Sequence, residues 1–283
     1  MDLCDRKDIQ SLLARHGFHF AKSLGQNFLI RGDVAETIAD AGCIPGCGVL
    51  EVGPGIGALT VQLAQRAEKV VSVELDKRLP PVLEETMAGY GNFTLIEGDV
   101  MKLSLAAVAA EQFQGLEPVL CANLPYNITT PFLTECVRAG CFRQLTVLIQ
   151  KEVAQRICAR PGTGEYGAFT VLMQYYTEPE LLFEVPNTCF MPPPKVTSAV
   201  VRCVTRRETP VRVVSEEAFW RTVRAGFALR RKTLVNSLQT GWQLPKERLA
   251  GIVESCGLPP TVRGEALGLE EYARLADALA AAE

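Results

Sequence analysis

The 283-residue chain carries 29 Lys+Arg against 32 Asp+Glu, a net charge of −3, with 48% apolar and 22% charged residues. These proportions are those of an ordinary globular protein and exclude a disordered chain, a collagen-like repeat and a coiled coil. The length suits one large domain or two, and such a chain can bury a full core without disulfides or a structural metal.

In chain order, the apolar spacing predicts a helix over residues 8–17 that stops at Gly17, and another over 33–41 with Val34, Ile38 and Ala41 on one face. Val49–Val52 reads as a short apolar strand running into a glycine-rich turn, followed by a helix over 57–67. Strands at Val70–Glu74, Phe93–Glu97, Val119–Ala122 and Leu145–Ile149 alternate with helices at 78–89 and 129–139. Helices at 151–159 and 167–176 and strands at 180–185 and 197–204 follow. Strands alternating with helices imply βαβ units on a mostly parallel sheet, an α/β fold. Beyond Thr205 the pattern turns all-helical, with helices at 216–228, 230–239, 246–255 and 269–281. The expected organisation is therefore an α/β catalytic domain over 1–208 and a small helical domain over 209–283, joined through Arg206–Pro210.

Charge is unevenly spread. Residues 202–248 hold eleven Lys and Arg against four acids, a local +7 that leaves −10 for the remainder. A basic module on a mildly acidic body suits an anionic polymer. No apolar run reaches the ~18–20 residues of a membrane helix, and the charged start Met1–Asp8 is unlike a signal peptide, so a cytoplasmic protein is expected. The ten cysteines include no C-x-x-C pair, and the histidines are His16 and His19, both near the start. No metal site is expected from such spacings, and the cysteines read as reduced, small apolar residues.

Gly53-Pro54-Gly55-Ile56-Gly57-Ala58 follows a strand and opens a helix, and Glu74 ends the next strand. Glycines let a backbone adopt positive φ and approach a ligand closely. A carboxylate at the second strand end can accept both hydroxyls of a ribose. Gly53, Gly55 and Ala58 satisfy G-x-G-x-x-G/A, which allows a dinucleotide and hence an oxidoreductase. Glu51, Gly53, Gly55 and Gly57 equally satisfy acid-x-G-x-G-x-G, a form that resembles the first motif of S-adenosylmethionine methyltransferases. A tight turn with no ligand fits the same residues. Asp99, after the third strand, can accept an adenine amino group or cap a helix.

Asn123-Leu124-Pro125-Tyr126 ends the fourth strand. An adenine amine is a poor nucleophile because its lone pair is conjugated into the ring. Two acceptors that hold its N–H bonds can aim that lone pair at a methyl group. The Asn123 side-chain carbonyl and the Leu124 backbone carbonyl supply them, Pro125 stiffens the turn, and Tyr126 offers a face for a base. An ordinary Asn-x-Pro turn is the plain alternative, but a dehydrogenase has no evident use for this tetrad.

With these motifs in order, the chain resembles the KsgA/RsmA family of ribosomal RNA small-subunit adenine dimethyltransferases, relatives of the erythromycin-resistance rRNA methyltransferases. The likeness runs from about residue 9 to 275 and is carried by Lys22–Leu29, Val49–Thr60, Asn123–Tyr126, Gln150–Arg156, Phe190–Val196 and Phe227–Leu238. It implies a class I, Rossmann-like methyltransferase sheet of seven strands with a small all-helical C-terminal domain. It implies S-adenosyl-L-methionine held by Gln26, Asn27, Leu29, Gly53, Gly55, Glu74, Asp99 and Asn123. Asn123, Leu124, Pro125 and Tyr126 would hold the target base, with Phe190 on its other face. Without the family, Phe190 reads as a core residue beside a rigid proline turn. The implied substrate is a pair of adjacent adenosines in the 3′-terminal hairpin loop of 16S rRNA, in the immature small ribosomal subunit, each methylated twice on N6. Arg230, Arg231 and Lys232, and more weakly Lys195 and Lys22, would meet RNA phosphates, or else form a solvated face. A monomer is the default. A ribosome-assembly factor whose catalysis is secondary stands beside the enzyme reading.

Overall fold

The computed structural model describes residues 1–21 and 25–283. The chain divides into two compact units, Met1–Ala154 with Glu178–Thr205, and Gln155–Thr177 with Arg206–Glu283.

The first unit opens with α1 (Arg6–Arg15), whose N-terminal N–H groups are satisfied by the Asp5 side chain accepting from Lys7 and Asp8. Then come β1 (Phe28–Leu29), α2 (Gly32–Gly42), β2 (Cys47–Val52), α3 (Ala58–Ala64), β3 (Lys69–Glu74), α4 (Pro80–Thr86) and β4 (Phe93–Glu97). They are followed by α5 (Leu105–Gln112), β5 (Glu117–Asn123), α6 (Thr129–Ala139), β6 (Gln144–Gln150) and α7 (Lys151–Ile157), which crosses into the second unit. After α8 (Ala168–Tyr176) the chain returns through β7 (Thr177–Val185), β8 (Phe190–Met191) and β9 (Ser198–Thr205).

Seven strands form one sheet in the order β4-β3-β2-β5-β6-β9-β7. The β2–β3, β3–β4, β2–β5 and β5–β6 pairs are parallel, and β9 runs antiparallel to β6. Every residue of β2 is buried, as befits a central parallel strand covered on both faces. Strand order reverses between β2 and β5, which opens a crevice at their C-terminal ends. The α/β reading and the mostly parallel sheet of seven strands hold. The pair β1–β8 escaped the sequence pattern, as did α5, whose alanine-rich run is started by Ser104 accepting from the Ala107 N–H.

The second unit adds α9 (Glu216–Ala228), α10 (Leu234–Leu238), α11 (Lys246–Ser255) and α12 (Leu269–Ala280). Its membership differs from a single boundary at 208/209, because Gln155–Thr177 groups with the later helices. Tyr166, Val171 and Tyr175 bury into one core with Phe219, Trp242 and Tyr272, and the Tyr175 ring lies 5.1 Å from that of Phe219. The helix expected over 230–239 is shorter. Leu229 leaves helical geometry at φ −124°, ψ 73°, and its carbonyl accepts from the Lys232 N–H at 2.8 Å. Arg230–Thr233 is therefore a turn, and the helix begins at Leu234. No helix among the described residues is long and apolar enough to cross a membrane.

Candidate active site

A cleft of about 1050 Å³, open to solvent, lies in the first unit at the crevice between β2 and β5. Its floor is the turn after β2, where Gly53 and Gly55 adopt φ of +67° and +59°. A Cβ on Gly55 would stand 2.8 Å from the Phe28 ring, so this position combines left-handed backbone with close packing.

Two buried carboxylates border the cleft. Glu51, within β2, accepts hydrogen bonds from Thr60 Oγ1 (2.8 Å) and Ser72 Oγ (2.6 Å). Burial pushes its carboxyl up to about 7 against these two stabilising bonds. Glu74 ends β3 at 7% exposure and accepts the Asp76 N–H at 2.8 Å. Burial raises it to about 7 as well, opposed by the N–H groups of Asp76 and Gly55. Asp99 lines the cleft beyond β4 while one carboxylate oxygen caps the short 3-10 turn Val100–Lys102 through the Met101 N–H. The two sequence readings of Asp99, cap and cleft acceptor, are thus compatible, since a carboxylate has a second oxygen.

The tetrad stands at the end of β5. Asn123 Nδ2 donates to the Asn27 carbonyl at 3.1 Å, which leaves its Oδ1 as the side chain's open acceptor. The Leu124 N–H is held by the Leu148 carbonyl, and the Pro125 carbonyl accepts from the Ile128 N–H and Thr129 Oγ1. No donor among the described residues reaches the Leu124 carbonyl. Tyr126 is half-buried, with its hydroxyl 2.7 Å from Ser198 Oγ. Burial raises its pKa, and the Ser198 bond opposes this.

Gln26, Asn27 and Leu29 border the cleft with Gly53, Gly55, Glu74, Asp99 and the tetrad, so every expected cofactor residue meets in one place. Phe190 is elsewhere. Its ring is fully buried in the core of the first unit, and its backbone pairs with Leu29. Lys195 is exposed in the first unit, and Arg230, Arg231 and Lys232 are exposed on the turn of the second, where Arg230 donates to the Gly164 carbonyl. Lys22 lies outside the described residues. Asp76, which accepts from Gln26, and Arg78, which grips Asp76, escaped the sequence motifs. The signal was a second acid two residues past Glu74, at a strand end. No disulfide links the ten cysteines, and no cluster of three or more His, Cys, Asp or Glu among the described residues suits a metal ion.

A seven-stranded, mostly parallel sheet with a glycine-floored cleft, an acid at the second strand end and an Asn-Leu-Pro-Tyr turn at the fourth defines a Rossmann-like methyltransferase. Two solved structures share the fold. One is the 23S rRNA methyltransferase ErmE (TM-score 0.68, 28% identity, 90% of this chain and 100% of that one). The other is a dimethyladenosine transferase from Plasmodium falciparum (TM-score 0.71, 24% identity, 87% and 94%). The chain belongs to the ribosomal RNA adenine dimethylase family, whose model matches residues 17–280. It is 48% identical over 278 residues (95% of this chain, 94% of the relative) to ribosomal RNA small subunit methyltransferase A of Geobacillus thermodenitrificans. It is 46% identical over 284 residues (98% and 97%) to the protein of the same name from Bacillus cereus strain AH187.

Proposed function

We propose that the chain transfers four methyl groups from S-adenosyl-L-methionine to N6 of two adjacent adenosines in the 3′-terminal hairpin loop of 16S rRNA. The observation that carries the reading is the anchored amide of Asn123. With Nδ2 spent on the Asn27 carbonyl, Oδ1 and the unpartnered Leu124 carbonyl form a pair of acceptors for one exocyclic amine. Those two acceptors hold the N–H bonds and turn the nitrogen lone pair toward the cleft floor. No general base is needed while the amine attacks, because the proton is lost from an already cationic product. After one transfer a single N–H remains, and one acceptor suffices to orient it.

The cofactor supplies an electrophilic methyl group on a sulfonium. The donor set fits it: Glu74 can accept two ribose hydroxyls, the free oxygen of Asp99 an adenine amine, and the Gly53–Gly55 backbone leaves room beside the chain. Gln26, Asn27 and Leu29 complete the wall. Tyr126, its ring tied by Ser198, offers the face on which the target base stacks. A stacking role for Phe190 requires its ring to leave the core as the base enters.

The relatives named for the small subunit share nearly half of all residues across the full chain, against 28% for the 23S enzyme, and this favours the small-subunit substrate. The helical unit, with Arg230, Arg231 and Lys232, is assigned to RNA recognition, with Lys195 in support. We assign the protein to the cytoplasm, as a monomer acting on immature small subunits. The test incubates unmethylated small subunits with methyl-labelled cofactor and identifies the labelled nucleoside by mass. N6,N6-dimethyladenosine confined to the 3′-terminal hairpin is expected, and N123A should remain folded yet transfer nothing. Label in large-subunit RNA, or full activity of N123A, overturns the reading.

A further inference from the structure

Gln26 makes no polar gesture toward the cleft. Its Oε1 accepts the Ala21 N–H at 3.0 Å and its Nε2 donates to Asp76 Oδ2 at 2.7 Å, so both ends of the amide are engaged by the chain itself. Asp76 is a buried node. Arg78 grips it with Nε to Oδ1 (2.8 Å) and Nη2 to Oδ2 (2.6 Å), a forked pair that fixes the carboxylate plane. The Arg78 side chain also holds the carboxylate below its ordinary range. The remaining reach of Arg78 goes to the N-terminal arm: Nη1 donates to the His19 carbonyl at 2.9 Å, and the guanidinium lies 5.0 Å above the Phe18 ring.

One residue beyond Gln26, the Asn27 carbonyl accepts Nδ2 of Asn123. The arm is therefore a strut. One foot stands on the end of β3, where Asp76 also donates its N–H to Glu74, and the other on the tetrad at the end of β5. An asparagine amide is nearly symmetric in shape, and a half-turn exchanges its oxygen and nitrogen. With the Asn27 carbonyl in place only one orientation is satisfied. The reverse sets two oxygens against each other and points an NH2 group at the incoming amine, a donor facing a donor.

We propose that Asp76 and Arg78 are positioning residues for methyl transfer. Through Gln26 they hold the Asn27 carbonyl where it selects the acceptor orientation of Asn123. This rests on the adenine N6 reading above and adds two residues that do not themselves touch the base.

The clamp separates cofactor affinity from transfer rate. R78A removes a half-exposed side chain and should fold. R78K keeps charge but not the fork, and R138A is a control that removes an exposed arginine 3.9 Å from Glu135. Single-turnover methylation is measured with cofactor and small subunits both saturating, beside calorimetric affinity for S-adenosylmethionine and a thermal melt. The side-chain amide pair of Asn123 is followed by nitrogen-15 NMR and assigned by its loss in N123D. R78A should lower the saturating rate on the order of 10- to 100-fold, as misplacement of a reacting group does. It should also move the Asn123 amide resonances, with R78K between and R138A unchanged. A rate that recovers fully at saturating cofactor, or Asn123 resonances identical to wild type in R78A, overturns the proposal. Should R78A fail to melt cooperatively, R78K carries the same two readouts. If the wild-type protein puts no methyl group on adenine N6, the underlying reading fails instead, and the two failures are distinct.

Discussion

As the proposed acceptor of the cofactor's ribose hydroxyls, Glu74 should make cofactor affinity a function of pH. Its carboxyl is poised near 7 in the free protein because burial disfavours the anion. Accepting two ribose hydroxyls requires that anion, so binding draws a proton off the protein wherever Glu74 is still protonated. The sign follows: affinity is full above pH 7 and falls as pH drops through 7. For one group of this pKa the loss between pH 8 and pH 6 is about tenfold. E74Q deletes both the titration and the charge, and at pH 8 it should bind about 5- to 150-fold more weakly, the about 1–3 kcal/mol by which charge-assisted bonds exceed neutral ones. Titration calorimetry at pH 6, 7 and 8, in two buffers of different ionisation enthalpy, reads affinity and proton release together. A wild-type affinity flat across that range refutes the argument. So does an E74Q variant with the wild-type slope, which would hand the titration to Glu51, raised to about 7 in the same cleft.

Glu51 has a complementary signature in stability. Its carboxyl rises from 4.5 to about 7 on folding, so stability present below 4.5 is lost as pH climbs through 7, by about 3 kcal/mol at the limit. E51Q should therefore melt higher relative to wild type at pH 8 than at pH 5, and equal differences at the two pH values would exclude burial as the cause. G55A meets both a positive φ and the Phe28 ring, and should lose about 1–3 kcal/mol in urea unfolding together with cofactor binding; unaltered binding would show the floor to be looser than it is drawn. Replacing Arg231 and Lys232 by alanine should weaken RNA binding for all sequences alike and flatten its salt dependence by about one unit per lost phosphate contact. A filter-binding slope equal to wild type would remove the turn from the RNA surface.

The alternating pattern of the first unit was legible because each parallel strand is a run of buried apolar residues closed by a turn signal. Helix α6 came out residue for residue, and the glycine turn and the tetrad stand at the strand ends where the pattern put them, lining one cleft. What escaped the sequence depends on pairings between distant residues. Strands β1 and β8 are two residues each, too short for any period, and exist because Phe28 meets Met191 and Leu29 meets Phe190. The same pairing draws the Phe190 ring into the core. Tyr166 and Tyr175 carry no local mark of the core they join, because Phe219 and Trp242 stand far along the chain. Arg230–Lys232 looked helical on propensity alone, until the Leu229 carbonyl closed the turn.

The β1–β8 pair also sets a timetable. Phe28 and Leu29 leave the ribosome early, while Phe190 and Met191 follow only after nearly the whole first unit has been made. A nascent chain can assemble the glycine turn and the strands around it as they emerge. It cannot close the β1–β8 pair, which backs the segment bearing Asn27, until Phe190 and Met191 arrive, so that side of the cleft is completed only when the first unit is nearly whole. An enzyme that modifies ribosomal RNA thus finishes this wall of its cleft late in its own synthesis, with residues 192–283 still to follow.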